Sequence, residues 1–544
     1  MAILRKIMSA TLGLCASGVP ATLALYAQSA SAFETPTMGW SSWNTYHANI
    51  SDSLIRRQAD MMVKTGLAKA GYTYINIDGG FQGGRDEVTG ELLINPYRFP
   101  NGLKPVVDHI HSLGLKAGIY SDAGENTCAN YFENDTLSVN VGLYGHEEED
   151  CDLFFNRLGF DFIKVDYCGS QIPSSHKRYW FDTKERYQTI HKAMEATGRK
   201  GLRMNVCRWA YPGAWVNDVA TSWRISGDIY CSWQRVREII DESLYLSAFA
   251  RNGHYNDMDM LEVGRTLSQT EDETHMAIWC MMASPLLIGC DLENLRPETF
   301  RLLSNKALIG INQDPLGRQA YVVRADTTGG YILAKDLHEA RGLERAAAFY
   351  NPTDNEISME ISAEELELAE PVKIYDAIKQ KELPGLASEI NVTLAPHATN
   401  VFIIKGEKRL LRRKYEAESA YLGGYQELYN PLLVGSAYHI RDNRLSGGAG
   451  VANAGITPEN DIVWDEVAVP RGDSYELTIH YLPRQTSDFY ISIDGRQGYA
   501  IAAKAEGNGL TLATVTIPIS EGVHKIRLYS DDVMPVIDCL EIKL

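Results

Sequence analysis

The sequence lacks the short motifs that bind nucleotides or hold a catalytic zinc ion. It contains no GxGxxG segment after a strand-like run, no phosphate-binding GxxxxGKS/T pattern and no HExxH pair. Positive charge is also scarce, because 52 lysine and arginine residues stand against 70 aspartate and glutamate residues, which gives a formal net charge of −18. A chain this acidic is a poor candidate for binding nucleic acid or an anionic membrane surface.

Long apolar runs are missing as well, since no segment after residue 32 is long and apolar enough to cross a bilayer. Residues 1–32 combine Arg5 and Lys6, an apolar stretch broken by Gly18 and Pro20, and a final Ala-Ser-Ala. This pattern is typical of a cleaved secretory signal, so we expect a secreted or periplasmic protein. Export permits disulfides, and eight of the nine cysteines follow the signal. The oligomeric state stays unknown at this point.

No repeat of fixed period and no low-complexity tract interrupts the chain. Residues 37–312 alternate β-rich runs with amphipathic helical runs, in eight pairs over roughly 270 residues. The predicted helices include residues 51–71, with Ser51 as the cap, and residues 234–253. The predicted strands are MGWSSWN, YTYINIDG, KAGIYSDAG, FDFIKVDYC, LRMNVCRW, SWRISGDI, HYNDMDM and PLLIGCD. The predicted fold class is therefore α/β, with a closed (β/α)8 barrel favoured over an open sheet.

Short alternating strands replace this pattern after Pro315. We expect a signal at 1–32, a barrel at 33–314, a small antiparallel β-sandwich at 315–406, a basic linker at 407–414 and a C-terminal β-sandwich at 415–544.

Polar residues close most of the predicted barrel strands, where active sites of such barrels lie. Asp166 and Asp228 are the candidates for the paired carboxylates of glycoside hydrolysis. Lys164 lies two residues before Asp166 on the same strand face, where its charge favours an ionised carboxylate. Arg224 lies four residues before Asp228 and is expected to bind the same ligand.

Each of these aspartates has a structural alternative, because an aspartate at a strand end often caps the next helix. The nearest approach to a metal cluster is HYNDMDM, with His254, Asp257 and Asp259. We favour a polar strand end over a metal site there.

Several segments resemble, in order, those of glycoside hydrolase family 27, the α-galactosidases and α-N-acetylgalactosaminidases. The similarity runs from about Thr37 to Tyr321 and rests on MGWSSWN, YINIDGGF, GLKAGIYSDAGENTC, FIKVDYCG, WRISGDI, HYNDMDML and GINQDPLGRQAY.

The resemblance implies a retaining mechanism without a metal or other cofactor, acting on an α-linked oligo- or polysaccharide. Asp166 matches the nucleophile and Asp228 the acid/base, with carboxyl groups roughly 5 to 5.5 Å apart. It also implies a disulfide between Cys128 and Cys168. The matching sugar-binding positions are Trp43, Asp78, Tyr120, Lys164 and Arg224.

Two departures from the family bear on the substrate. The α-galactosidases carry two successive aspartates for O4 and O6 of galactose, where this chain has Asp78 and Gly79. Arg208 occupies the position expected to contact the sugar's 2-position, and Cys207 lacks its usual partner because Ala220 stands near that place. Galactosidase activity stays first, with β-L-arabinopyranosidase and α-1,6-glucan hydrolase activities as alternatives in the family. A non-catalytic sugar-binding protein is the alternative from another class.

The C-terminal segments YEAESAYLGG, RLSGGAGVANAG and VIDCLEIKL resemble the carbohydrate-binding modules of families 6 and 35. Those modules often hold a structural calcium ion, and Glu416, Glu418 and Asp538 match its ligand positions. The alternative is that these acids are solvated strand ends.

Overall fold

The computed structural model describes residues 34–171, 181–251, 253–339, 341–483, 488–503 and 509–544, so the expected signal lies outside the described residues. Within these ranges, no helix combines the length and the apolar character needed to cross a membrane.

Eight of the first ten strands form one parallel sheet in the order β10-β1-β2-β5-β6-β7-β8-β9. A parallel bridge between Leu261 and Ile288 joins the chain after β9 to β10, so the sheet curls on itself as the predicted barrel requires. Strands β3 and β4 form a separate hairpin. The bounds are β1 (Met38–Ser41), β2 (Tyr74–Ile77), β3 (Gln82–Arg85), β4 (Leu92–Ile94), β5 (Lys116–Asp122), β6 (Phe162–Asp166), β7 (Arg203–Val206), β8 (Ser222–Arg224), β9 (Tyr255–Asp257) and β10 (Leu286–Ile288).

Helices occupy the connections between these strands. Their bounds are α1 (Trp43–Tyr46), α2 (Asp52–Lys64), α3 (Leu67–Ala70), α4 (Lys104–Ser112), α5 (Cys128–Glu133), α6 (Glu147–Cys151), α7 (Cys168–Gln171), α8 (Thr183–Ala196), α9 (Trp233–Ser243), α10 (Gln269–Met281), α11 (Pro297–Leu303) and α12 (Lys306–Asn312). Ser51 caps α2 as predicted, because its hydroxyl accepts from the Leu54 amide at 3.3 Å.

Two predicted helices are shorter than the pattern indicated. Residues 51–71 divide into α2 and α3 at Gly66, whose φ of +94° suits glycine and interrupts a right-handed helix. The predicted helix at 234–253 ends at Ser243, and only a single 3-10 turn at Ser247–Phe249 follows. The apolar residues Leu246 and Phe249, which follow Ser243, are buried. They lie in irregular chain and in the 3-10 turn, not along one face of a continuous helix.

The middle of the chain forms two antiparallel sheets. The larger has the order β11-β12-β13-β18-β15-β16 and the smaller pairs β14 with β17. A buried cluster that includes Ile332, Phe349 and Val392 draws side chains from both sheets. The bounds are β11 (Tyr321–Ala325), β12 (Tyr331–Asp336), β13 (Glu344–Tyr350), β14 (Ile357–Ser362), β15 (Lys373–Asp376), β16 (Lys381–Glu382), β17 (Glu389–Leu394) and β18 (Thr399–Lys405).

The C-terminal part also contains two antiparallel sheets. One follows the order β21-β22-β29-β24-β27 with β19 paired to β29, and the other follows β20-β23-β28-β25-β26. One short helix, α13 (Pro431–Val434), lies between β20 and β21 in sequence. The strand bounds are β19 (Lys414–Glu416), β20 (Tyr421–Leu422), β21 (Tyr438–Arg441), β22 (Ala449–Ala452), β23 (Ile462–Val469), β24 (Asp473–Leu482), β25 (Phe489–Ile493), β26 (Tyr499–Ile501), β27 (Thr511–Ile519), β28 (Gly522–Tyr529) and β29 (Val536–Lys543).

The basic segment between the two β-regions is held against the middle sheets. Arg412 donates from Nε to Glu367 at 2.6 Å, and Arg409 lies 2.9 Å from Asp336. Arg345, which is fully buried, completes the group at 3.1 Å from Asp336. These ion pairs fix where the C-terminal sheets begin relative to the middle ones.

Candidate active site

A cavity lies inside the barrel at the carboxyl ends of the strands, where a barrel of this kind carries its active site. Strand β6 shows how the sequence builds it. Ile163 and Val165 are fully buried in the hydrophobic core. Lys164 and Asp166 alternate with them along the strand, so they point to the other face, toward the carboxylate of Asp78. The polar lining residues are Ser41, Asn76, Asp78, Tyr120, Lys164, Asn205, Arg224, Asp257 and Asp259.

Lys164 stands between two buried carboxylates. Its Nζ lies 3.6 Å from Asp166 Oδ1 and 3.8 Å from Asp78 Oδ2, and it sits 5.5 Å from the centre of the Tyr120 ring. Burial raises the pKa of Asp166 to about 6, although Lys164 acts in the opposite, predicted direction. The two carboxylates outweigh burial at Lys164 and raise its pKa well above the ordinary value, so the ammonium group stays charged.

Arg224 organises a second carboxylate pair at the other side of the cavity. Its Nη1 lies 3.2 Å from Asp228 Oδ1, and its Nη2 lies 2.7 Å from Asp259 Oδ2. The Arg224 side chain is 2% exposed whereas that of Asp228 is 69% exposed, so the carboxylate of Asp228 reaches the mouth of the site. Burial raises the pKa of Asp228, but Arg224 and Lys164 outweigh it and lower the pKa overall.

Asp228 is not at the end of a strand, contrary to the sequence prediction. Strand β8 ends at Arg224, and Asp228 lies four residues beyond it in the following loop. Arg224 donates to the carbonyl groups of Ser226 and Gly227 at 3.1 and 2.8 Å, so the arginine itself turns this loop toward the cavity.

Trp209 is a site residue that the sequence reasoning missed. Its side chain hydrogen-bonds Asp228, and its backbone adopts a φ of +59°. A positive φ is uncommon outside glycine, and no residue pattern announces it. Asp259 was also missed as a partner of Arg224, although it had been considered with His254 and Asp257 as a weak metal cluster. In the part of the chain that the structure describes, the possible ligand atoms of His254, Asp257 and Asp259 do not all lie within 4.8 Å of one another.

Trp43, Gly79 and Tyr120 form a tight corner next to Asp78. A Cβ atom at Gly79 would lie 3.3 Å from Trp43 Cζ3 and 3.8 Å from Tyr120 Cε1. Tyr120 is 2% exposed, and its hydroxyl accepts from the Cys128 amide at 3.2 Å. Gly79 therefore leaves room beside the two aromatic rings that a side chain would fill.

Arg208, like Asp166, Asp228 and Trp43, does not line the cavity, and it stacks on Tyr167. Its guanidinium carbon lies 4.5 Å from the centre of the Tyr167 ring, and its buried Nε has no hydrogen-bond partner among the described residues. It is half-buried and is not part of the cavity lining. A cation stacked on an aromatic face is a stable arrangement, so Tyr167 fixes the position of Arg208 near the end of β6.

The loop after Asp166 is held by covalent and polar contacts. Cys128 and Cys168 form the disulfide that the family resemblance implied. The buried carboxylate of Asp122 accepts from the backbone amides of Cys168 at 2.7 Å and Gly169 at 3.0 Å. Cys207 is a free, fully buried cysteine, and Arg224 donates to its sulfur at 3.7 Å.

Two of the three predicted calcium ligands, Glu416 and Asp538, contact Ser446 in the C-terminal sheets. The Ser446 hydroxyl donates to Glu416 Oε2 at 2.6 Å, and the Ser446 amide donates to Asp538 Oδ1 at 2.7 Å. Glu418 is fully buried, and neither carboxylate oxygen has a hydrogen-bond partner among the described residues. Burial, Glu416 and Asp538 together raise its pKa well above the ordinary value.

Among the described residues, the possible ligand atoms of Glu416, Glu418 and Asp538 do not all lie within 4.8 Å of one another, and Lys414 pairs with Glu416 at 2.8 Å. The feature that favours a hard cation with oxygen ligands is the unpartnered, buried carboxylate of Glu418. Asp538 also lies with His480 and Cys539, in a group whose possible ligand atoms are within 4.8 Å of one another. Nitrogen and sulfur ligands suit softer metals, so the carboxylates are the better match to calcium.

Comparison with known proteins agrees with this geometry. A family model described as "Alpha galactosidase A" matches residues 35–314. The chain is 40% identical over 334 residues to alpha-galactosidase A of Cellvibrio japonicus, which covers 58% of this chain and 77% of that protein. The crystal structure of alpha-galactosidase I from Mortierella vinacea matches with a TM-score of 0.62 and 29% identity, over 69% of this chain and 98% of that one.

A GH27 β-L-arabinopyranosidase from Geobacillus stearothermophilus also superposes, with a TM-score of 0.58 and 23% identity over 69% of this chain and 97% of that one. At this identity the likeness shows a shared fold alone. The family model ends at residue 314, so it does not reach the middle or C-terminal sheets.

Proposed function

The chain belongs to the alpha-galactosidase family of glycoside hydrolases, GH27, and we propose that it removes terminal α-D-galactose from oligo- or polysaccharides with retention of configuration. The observation that carries the proposal is the pair of carboxylates, Asp166 and Asp228, each within ion-pair distance of its own cation, Lys164 or Arg224, and these two cations line one cavity. The relatives named alpha-galactosidases support galactose as the sugar.

In the first step, Asp166 attacks the anomeric carbon while the bond to the leaving oxygen breaks. Asp228 gives its proton to that oxygen, and a covalent glycosyl ester on Asp166 results. In the second step, Asp228 takes a proton from water, whose oxygen attacks the same carbon and releases Asp166. Two inversions at one carbon restore the original configuration.

The roles differ because the surroundings of the two carboxylates differ. Asp166 is 5% exposed and fixed beside Lys164, as a nucleophile aimed at one carbon must be. Asp228 projects from a loop to the mouth, where both the leaving group and the incoming water pass. Arg224 and Trp209 orient its carboxylate from behind.

Asp78, Lys164 and Tyr120 bind the hydroxyl groups of the terminal sugar, and the Trp43 ring packs against its apolar face. Gly79 supplies no acceptor for O6, so Asp78 carries the recognition of O4 and O6 alone. L-arabinopyranose lacks the C6 hydroxymethyl group and loses least from this change, which makes β-L-arabinopyranosidase activity the second candidate. An α-1,6-glucan hydrolase is the third.

Initial rates on matched aryl α-galactoside, β-L-arabinopyranoside, α-glucoside and α-N-acetylgalactosaminide test the proposal, with the Asp166→Asn variant as the blank. The galactoside is expected to react fastest by a wide margin. A faster arabinoside or glucoside would reassign the sugar, while the mechanism would stand.

A non-catalytic sugar-binding protein is distinguished by the same variant. If the chain is an enzyme, Asp166→Asn abolishes turnover and still binds galactose by calorimetry. A binding protein would show no turnover in either form.

For the C-terminal region we propose a calcium-containing carbohydrate-binding module resembling families 6 and 35, built as a β-sandwich from the two antiparallel sheets. Glu416, Glu418 and Asp538 would hold the ion. Its positive charge would compensate the buried carboxylate of Glu418, which has no hydrogen-bond partner among the described residues. The support is that Glu416 and Asp538, from opposite ends of the region, both accept hydrogen bonds from Ser446, while the buried carboxylate of Glu418 has no partner among the described residues. Its sugar ligand is open.

We also propose that residues 1–32 direct export and that the mature chain divides at 33–314, 315–406, 407–414 and 415–544. The gaps between β10 and β11 and between β18 and β19 support these limits. The intact mass of protein recovered outside the cell tests the cleavage site.

A further inference from the structure

The C-terminal region carries an exposed apolar segment outside its sheets. Tyr429 is 53% exposed, and Leu432, Leu433 and Val434 of α13 are 65%, 85% and 50% exposed. Together with Glu427 and Tyr438, residues of this segment line an open hollow. Contiguous exposed apolar side chains of this kind mark binding surfaces more often than scattered ones do.

This segment is joined to the barrel by specific contacts. The Glu427 amide donates to the Tyr211 carbonyl at 2.8 Å, and the Tyr211 amide donates to Glu427 Oε2 at 3.1 Å. The ring of Tyr425 stacks on that of Tyr211 at 5.6 Å and on that of Phe249 at 5.3 Å. The reciprocal hydrogen bonds fix residues 425–429 at one place on the barrel.

Trp209 and Tyr167 link that place to the candidate active site. Tyr211 is two residues from Trp209, whose side chain hydrogen-bonds Asp228. Tyr167 follows Asp166 in the chain, and burial raises the pKa of its hydroxyl. Tyr429 lies near enough to Tyr167 to raise this pKa further. Arg208 stacks on the same Tyr167 ring.

We propose that Tyr429 and α13 form the subsite for the sugar that carries the terminal galactose, so that the C-terminal region completes the active site of the barrel. This inference rests on the proposed function. An acid that protonates the leaving oxygen must face the leaving group, so the sugar released in the first step lies on the Asp228 side of the site. Residues 425–429 are held on the barrel at Tyr211, two residues along the chain from Trp209, and Tyr429 lies within electrostatic reach of Tyr167.

The chemistry of the surface suits a neutral saccharide. An aromatic ring beside aliphatic side chains offers a platform for the C–H face of a pyranose, while Asn430 lies next to it with polar groups for its hydroxyls. The carboxylate of Glu427 accepts hydrogen bonds from Tyr211 and Tyr425. Glu427 is the one charged residue of residues 425–434, so this surface does not require a charged ligand.

The test compares two substrates that share galactose and differ beyond it. α-Galactosyl fluoride leaves only fluoride, whereas raffinose places a sugar in the proposed subsite. Tyr429→Ala is expected to lower kcat/KM for raffinose by roughly 3- to 10-fold, chiefly through KM, and to leave the value for the fluoride within about 2-fold. Tyr429→Phe retains the ring and is expected to restore most of the loss.

Tyr499→Ala is the matched control, since Tyr499 is an exposed tyrosine of the same region on β26. Equal losses on both substrates, or no loss on raffinose, would overturn the inference while leaving the proposed function intact. Inactivity of the unsubstituted protein on both substrates would overturn the proposed function and the inference with it. A change of mass in light scattering with unchanged kinetics would reassign the surface to contact between copies of the chain.

Discussion

Arg224 and Asp228 form an ion pair of 3.2 Å between a nearly fully buried guanidinium and a largely exposed carboxylate. The arginine also holds the backbone of the intervening loop, so the charge and the loop geometry at Asp228, the proposed acid/base, depend on one side chain. This relationship lowers the pKa of Asp228 below its ordinary value, while burial raises that of Asp166 to about 6.

The first prediction concerns the pH dependence. The two groups titrate as a unit, and the reaction needs one proton on the pair. The pKa directions place that proton mainly on Asp166, so the reactive form, with Asp228 protonated and Asp166 ionised, is the minor one of the singly protonated pair. Activity therefore falls as pH rises through about 6, where the pair loses its last proton, and falls again in acid, where both carboxyls are protonated. The profile of kcat/KM on an aryl α-galactoside is expected to be a bell with an acidic maximum. A plateau extending to pH 8 would contradict this assignment.

The second prediction separates the roles of the two aspartates by azide rescue. Asp228→Gly is expected to lose roughly 10²- to 10⁴-fold in rate on substrates with poor leaving groups, and added azide should yield the α-galactosyl azide. Asp166→Gly with azide should give the β-azide, because only one inversion then occurs. NMR of the products distinguishes the anomers, and the opposite assignment of products would exchange the two roles.

The third prediction concerns Gly79. In Gly79→Asp, the new carboxylate stands beside Asp78 and offers an acceptor for O6, so the ratio of kcat/KM for α-galactoside over β-L-arabinopyranoside should rise by roughly 10-fold. The tight approach to Trp43 should lower the melting temperature slightly. Gly79→Ala adds the Cβ without the carboxylate and controls for the packing change. An equal shift of the ratio in both variants would show that space, not the acceptor, sets the preference.

The fourth prediction concerns calcium and Glu418. The raised pKa of Glu418 means that its ionised form destabilises the fold when no cation is bound, so stability without calcium increases as pH falls through that pKa. At neutral pH, calcium at about 100 times its Kd should raise the melting temperature of the C-terminal transition by roughly 10 °C.

Glu418→Gln removes the charge at this buried position. The variant should match or exceed the stability of the unsubstituted protein in EDTA, and its melting temperature should no longer respond to calcium. A full calcium response in Glu418→Gln would exclude this carboxylate as a ligand.

Much of the barrel and of the central site could be predicted because local patterns encode them. Each of the eight predicted strand segments contains one of the observed barrel strands, in the expected order. The alternation in β6 places Lys164 and Asp166 together without any tertiary information.

Other features depend on contacts that no local pattern carries. Asp228 lies in a loop whose path is set by hydrogen bonds to Arg224, and Trp209 reaches it only through a positive φ. The pairing of Glu427 with Tyr211 joins residues 216 positions apart. The helix predicted at 234–253 stops early because its apolar residues become buried by tertiary packing instead of along one helix face.

The measurement that tests the central claim most directly is covalent trapping of the intermediate with 5-fluoro-α-galactosyl fluoride, followed by mass spectrometry of the digested protein. The account predicts one fluorogalactosyl adduct, on the peptide containing Asp166, with no adduct in Asp166→Asn. An adduct on another residue, or rapid turnover of aryl α-galactoside to the β-anomer as first product, would contradict it.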